Sequence, residues 1–126
     1  MNVTKNTKRQ TNKVVAVDFD GTLAELYCAR NSYRPKTKIK EKPKKDVVDY
    51  CKFLHSKGVK IIVHSSRWWG DYKSVKEWLD RHGVPYDDII LGKFKCDLFL
   101  DDLNVNPTDL DWKTKVDKIL FKTKET

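Results

Sequence analysis

The sequence predicts an α/β fold, a mainly parallel sheet with helices on its faces, and three observations carry that prediction. Short continuous apolar runs, residues 14–19 and 59–63, have the pattern of strands buried in a parallel sheet. Stretches with helical apolar spacing alternate with them, as strand–helix–strand units require. Each run also stops at polar residues: Asp20-Gly21, His64-Ser65-Ser66 and Asp101-Asp102. The 126 residues suit one such domain and are too few for a multi-domain enzyme.

Taken in order, residues 1–12 lack apolar periodicity and are expected to form a basic flexible tail, leaving 13–126 as a single domain. Val14, Val15, Ala16, Val17 and Phe19 form the first strand, stopped by the turn at Asp20-Gly21. Residues 24–43 hold no sustained period and predict a long basic flap, with Tyr27 and Tyr33 among its charges. Pro43 suits the first turn of a helix over 44–57, which buries Val47, Val48, Cys51 and Leu54 and ends at Gly58. Val59, Ile61, Ile62 and Val63 make the second strand. Asp71 can cap a second helix that carries Val75, Trp78 and Leu79 on one face and ends at Gly83 and Pro85. Ile89 to Leu91 is a short third strand, and Leu98 to Leu100 a fourth, halted by Asp101-Asp102. A last amphipathic stretch places Trp112, Val116, Ile119 and Leu120 on one side.

Lys and Arg number 26 against 18 Asp and Glu, a net charge of +8, and the excess is local. Residues 1–13 hold four bases and no acid, and residues 30–45 hold eight bases with Glu41 the only acid. Residues 14–29 carry Asp18, Asp20 and Glu25 with no base, while residues 46–126 balance. Cys28, Cys51 and Cys96 show no CxxC spacing, which argues against a disulfide scaffold or a structural zinc. Residues 1–13 have no apolar segment of signal type, and no run is long enough to cross a bilayer, so a cytoplasmic protein with no membrane partner is expected.

In such a sheet, ligands bind at the carboxyl ends of the strands. Those ends carry Asp18 and Asp20, then Ser65, then Lys93 nearby, then Asp101 and Asp102. Taken singly, Asp101-Asp102 could equally be turn residues. Together, Asp18-Phe19-Asp20-Gly21-Thr22 followed in order by Ser65, by Lys93 in Leu-Gly-Lys and by Asp101-Asp102 resembles the motif series of the haloacid dehalogenase-like (HAD) phosphohydrolase superfamily. The resemblance spans residues 14–106 and implies a Rossmann-like three-layer sandwich. It also implies a phosphatase.

The chemistry suits the residue types. The Asp18 carboxylate can attack phosphorus in line and form an aspartyl-phosphate, which splits one hard displacement into two easier ones. Asp20, two residues on along extended chain, lies on the same side and can protonate the leaving oxygen, then take a proton from the hydrolytic water. Gly21 permits the turn and close backbone approach to phosphate. Lys93 would balance the transferred charge, with Lys95 as the second choice, while the Ser65 hydroxyl and adjacent N–H groups hold phosphate oxygens. The catalytic candidates are thus Asp18, Asp20, Ser65 and Lys93; the substrate-binding candidates are Gly21, Thr22, Ser66 and Arg67.

Carboxylates facing a phosphate need cations, and Mg²⁺ fits an all-oxygen site. The resemblance implies that Asp18, the main-chain carbonyl of Asp20 and one of Asp101 and Asp102 hold it. Arg67 can hold a second anionic group, with Trp68, Trp69 and Tyr72 as a flat surface for a sugar or base; the alternative is a local salt bridge with the tryptophans covering the sheet edge. His64 has no partner at ligand spacing and is expected to be structural.

Neither the interval from Asp20 to Ser65 nor that from Ser65 to Lys93 has room for a cap domain. The sequence therefore resembles a capless member, whose open crevice admits a large substrate or is closed by a second copy in a homo-oligomer. Two classes of function follow. One is a Mg²⁺-dependent phosphomonoesterase acting on a nucleotide, a sugar phosphate or another small phosphate, or on the 3′- or 5′-phosphorylated end of a nucleic acid reached through the basic flap. The other is a non-catalytic phosphate or nucleic-acid binding module, whose salt-sensitive binding would not depend on Asp18.

Overall fold

The structure is a computed structural model that describes residues 11–26, 38–94, 96–98 and 100–121. Most of the expected tail, the centre of the flap, Cys28, Lys95 and Phe99 lie outside the described residues. Packing divides the chain into two compact units, one ending at Phe94 and the other beginning at Lys95.

The first unit is built on a parallel sheet of three strands, β1 (Val14–Val17), β2 (Lys60–His64) and β3 (Asp88–Ile90), in the order β1-β2-β3. Val17 pairs with Val63, and Val63 with Ile89, so the ends of the three strands finish side by side. Helix α1 (Lys45–Ser56) connects β1 to β2, and α2 (Tyr72–Arg81) connects β2 to β3. Right-handed crossovers that advance in one direction put both helices on the same face. That face carries Val17, Ile61, Val63 and Ile89, all buried. On the opposite face Val14 and Ile90 are exposed.

The helices follow their predicted faces, α1 burying Val47, Val48, Cys51 and Leu54, and α2 burying Val75, Trp78 and Leu79. Both end alike. The Gly58 N–H reaches the His55 carbonyl at 3.0 Å and the Val59 N–H reaches Leu54 at 3.1 Å. In α2, the Gly83 N–H reaches Asp80 at 3.2 Å and the Val84 N–H reaches Leu79 at 2.9 Å. These are paired Schellman closures, each with glycine in the left-handed region, at φ +88° and +68°. Each closure delivers a buried valine directly to the next segment of the core. Pro43 does not enter α1: it bridges Ala24, one residue before the Lys44 cap position.

Both ends of the expected flap are held to the first unit. The Glu25 N–H donates to the Lys42 carbonyl at 2.8 Å, and the Lys44 N–H to the Leu23 carbonyl at 2.7 Å. The Trp78 indole N–H donates to the Glu41 carbonyl at 2.9 Å, and Arg81 donates to the Ile39 carbonyl at 3.0 Å. Ile39 is buried, while Lys38, Lys40 and Lys42 between these anchors are exposed. Residues 24–26 and 38–43 of the expected flap thus belong to the packed body, and its remaining residues, 27–37, lie outside the described residues.

In the second unit, the last amphipathic stretch is helix α3 (Trp112–Leu120). The fourth strand expected at Leu98 to Leu100 is absent among the described residues. Leu98 and Leu100 are 73% and 94% exposed and take no place in a ladder. A run of three apolar residues fixes no pairing by itself; the chain instead turns at Asp101, whose Oδ1 accepts the Leu103 N–H at 3.0 Å. No helix among the described residues is long and apolar enough to cross a membrane.

Candidate active site

Beyond β1 the chain turns sharply. The Phe19 carbonyl accepts the N–H groups of Thr22 at 3.2 Å, and of Leu23 and Ala24 at 3.0 Å each, while the Gly21 N–H donates to the Ala24 carbonyl at 2.8 Å. Gly21 sits at φ +81°, where a side chain would be strained. This compact loop leaves Asp18 and Asp20 on either side of a fully buried Phe19.

The loops after β2 and β3 are zipped together. The Ser65 N–H donates to the Ile90 carbonyl at 3.0 Å, the Lys93 N–H to the Ser65 carbonyl at 2.9 Å, and the Gly92 N–H to the Arg67 carbonyl at 3.0 Å. Ser65 is buried, and its Oγ accepts the Arg67 N–H at 3.0 Å, leaving the hydroxyl proton as the donor that could meet an incoming oxygen. A Cβ on Gly92 would stand 3.2 Å from the Trp69 indole nitrogen, so the ring lies directly on this loop. Trp68 and Trp69 nonetheless stay 56% and 61% exposed and keep an aromatic surface in solvent.

Electrostatics tie these loops to β1. Burial pushes the Asp18 carboxyl above its ordinary range; the Lys93 charge and a backbone hydrogen bond from Phe19 oppose that, and the neighbouring Asp20 adds to it. His64, on the same side of the sheet, is pushed down by burial and by Lys93 against the pull of Asp18, which favours a neutral ring. The Lys93 charge thus reaches both Asp18 and His64.

Arg67 makes the strongest polar contacts of the site. Its Nε donates to Asp20 Oδ2 at 2.8 Å and its Nη2 to Asp20 Oδ1 at 2.9 Å, a bidentate clamp. Its Nη1 donates to Asp71 Oδ2 at 3.1 Å. The guanidinium carbon lies 5.4 Å from the centre of the Phe19 ring, which in turn meets Trp78 edge-on at 5.0 Å. Burial works against the Arg67 charge, but the Asp20 and Asp71 carboxylates outweigh it and hold the guanidinium above its usual range. The local salt bridge, one of the two readings of Arg67, is therefore what the structure contains. Asp71 is the residue whose part the sequence concealed. It occupies the N-cap position of α2 but makes no side-chain cap; its carboxylate turns inward to Arg67 and is fully buried. The i, i+4 spacing of Arg67 and Asp71 was the available signal.

The first unit thus brings together Asp18, Asp20, Ser65, Arg67 and Lys93, with Gly21 and Thr22 in the adjoining turn and Ser66 exposed beside Ser65. Asp101 and Asp102 belong to the second unit, where both are exposed and Asp101 serves the turn. Among the described residues no group of three or more His, Cys, Asp and Glu side chains is gathered. The donors of the first unit, the Asp18 carboxylate and the Asp20 carbonyl, are hard oxygens. They fit Mg²⁺ in kind and do not suit softer metals.

With this geometry in place, comparison with known proteins adds three findings. Residues 12–95 match the family model of the polynucleotide kinase PNKP phosphatase domain. A crystal structure of a Vibrio cholerae protein superimposes with a TM-score of 0.62 at 27% identity, covering 82% of this chain and 94% of that one. A chain of the Pnkp1/Rnl/Hen1 complex superimposes with a TM-score of 0.56 at 21% identity; the match covers 88% of this chain and 36% of that one. No curated protein sequence matches significantly.

Proposed function

Because this chain belongs to the polynucleotide kinase PNKP phosphatase-domain family, and so is a HAD-superfamily phosphatase, we propose that it removes the 3′- or 5′-terminal phosphate of a nucleic-acid strand. The observation that carries the substrate reading is the row Lys38, Lys40 and Lys42. These exposed cations alternate with Ile39, which is buried, and Glu41, whose carbonyl is held by Trp78. Three exposed lysines within five residues of anchored chain concentrate positive charge, which suits a polyanionic strand better than a single small phosphate.

In this reading Asp18 attacks the phosphorus, and the bond to the leaving oxygen breaks as Asp20 supplies its proton. Water then attacks the aspartyl-phosphate, Asp20 takes up the water's proton, and inorganic phosphate leaves with Asp18 restored. Lys93 offsets the negative charge at Asp18 throughout, and the Ser65 hydroxyl donates to a phosphate oxygen. Mg²⁺, for which the Asp18 carboxylate and the Asp20 carbonyl offer hard oxygens, would neutralise charge on the phosphoryl group. The free thiols of Cys51 and Cys96 support a cytoplasmic setting.

Phosphate release from 3′- and 5′-phosphorylated oligonucleotides, nucleotides and sugar phosphates, with and without Mg²⁺, tests the proposal. An oligonucleotide should give the highest kcat/KM, by about tenfold or more, and Asp18→Asn should abolish turnover. Preference for a sugar phosphate would overturn the substrate reading. Turnover that survives Asp18→Asn would overturn the mechanism.

A further inference from the structure

We propose that Trp68 and Trp69 form a stacking platform for unpaired bases next to the terminal phosphate, so that the end this chain acts on is single-stranded. The inference deepens the proposed function and rests on it. Both indoles are held in place and yet stand in solvent. The Arg67 carbonyl just before them accepts the Gly92 N–H at 3.0 Å, and the Trp68 carbonyl accepts the Asp71 N–H at 2.9 Å to close the short turn Trp69–Asp71. Each ring also rests on a glycine. A Cβ on Gly70 would overlap the six-membered ring of Trp68, and one on Gly92 would stand 3.2 Å from the Trp69 indole nitrogen. Both residues remain more than half exposed, which leaves a large flat apolar surface in water that stacking would cover.

Three features select a base as the occupant. The platform begins at the edge of the phosphate site, because the Arg67 N–H binds Ser65 Oγ at 3.0 Å and Gly92 precedes Lys93. The cation beside the rings, Arg67, is committed to the Asp20 and Asp71 carboxylates, so the surface suits a flat neutral group better than a second phosphate. Helix α2 also links the rings to the lysine row: they precede its first turn, while Trp78 and Arg81 in its last turn hold the segment that carries Lys38, Lys40 and Lys42. Cations for the backbone and aromatic rings for the bases are the combination that binds single strands, whatever their sequence, since every base has a flat face. The last bases of a blunt duplex are already paired and stacked, and must be opened before they reach an indole.

Steady-state kinetics on three substrates with the same terminal phosphate test this: a single-stranded oligonucleotide, the same strand with its last two nucleotides abasic, and a blunt duplex. KM for the first should lie about tenfold or more below that of the other two. Trp68→Ala and Trp69→Ala should each raise KM for the single strand by about three- to tenfold and KM for the abasic strand by less than about twofold, so that loss of the base and loss of the ring do not add. Trp69→Tyr keeps a ring that can stack and should recover most of the loss. Independently of turnover, the single strand should quench the indole fluorescence of the Asp18→Asn chain, and the abasic strand should not.

Equal KM values for the single and abasic strands, or tryptophan variants that weaken both strands alike or neither, would overturn the inference. If an alanine variant does not fold, the wild-type comparison of the two strands and Trp69→Tyr decide the matter. A wild-type chain that turns over none of the three substrates, or that prefers a sugar phosphate, would instead overturn the proposed function, whereas turnover of all three with equal KM removes only the platform.

Discussion

At Asp18 two requirements pull in opposite directions: a nucleophile must be ionised, yet the position that shields it from water disfavours its charge. Burial raises its pKa above the ordinary value of 3.8, with Lys93 opposing. On linkage grounds, a carboxyl raised on folding contributes stability that is complete below its unfolded pKa and is lost as pH rises through the folded one. Metal-free Asp18→Asn should therefore melt above the wild type near neutral pH, with the gap closing below about pH 3.8. Thermal melts in a chelator across pH check this; a variant that melts lower at neutral pH would contradict it. Mg²⁺ should raise the melting temperature of the wild type and not that of Asp18→Asn. Removing the opposing charge with Lys93→Met should move the acid limb of kcat/KM to higher pH as well as lowering its plateau. These residues were legible in the sequence because each sits where an apolar run stops. Asp71 was not, since its spacing allowed a cap as readily as an ion pair, and only the turn of its side chain into the core decides between them.

The elements that carry the site owe their order to how they end. Helix α2 finishes in a Schellman closure whose Gly83 lies at φ +68°. Gly83→Ala should destabilise the chain by about 1–2 kcal/mol in denaturant unfolding, with an unchanged m value, because an L side chain is strained in the left-handed region. Trp78, buried in α2, joins three parts of the fold by packing on Phe19 and donating to the Glu41 carbonyl. Trp78→Phe should keep much of the packing but orphan that carbonyl, so residues 38–42 should exchange amide hydrogens and be cleaved by proteases faster than in the wild type. Helices α1 and α2 could be read from their periodicity because each has a wide apolar face and a glycine stop. Leu98 to Leu100 misled for the converse reason. Three apolar residues carry no period, and a strand exists only when another strand offers it a ladder.

Across the whole molecule, the +8 charge is concentrated while residues 46–126 balance. If Lys38, Lys40 and Lys42 meet a nucleic-acid backbone, raising salt should increase KM for an oligonucleotide end far more than for para-nitrophenyl phosphate. Changing the three lysines to Gln should flatten that salt dependence while leaving kcat on the small substrate unaltered. A salt response equal for both substrates would speak against the row as a strand-binding surface. The bridge between Ala24 and Pro43, with the Glu25 to Lys42 hydrogen bond beside it, has a different kind of consequence. It ties the loop that carries Asp18 and Asp20 to the entrance of α1, so the two cannot shift independently. A change at Pro43 or Lys44, remote from the reacting atoms, would be felt at the turn beside the two aspartates, which makes α1 a lever on the chemistry as well as a wall of the core.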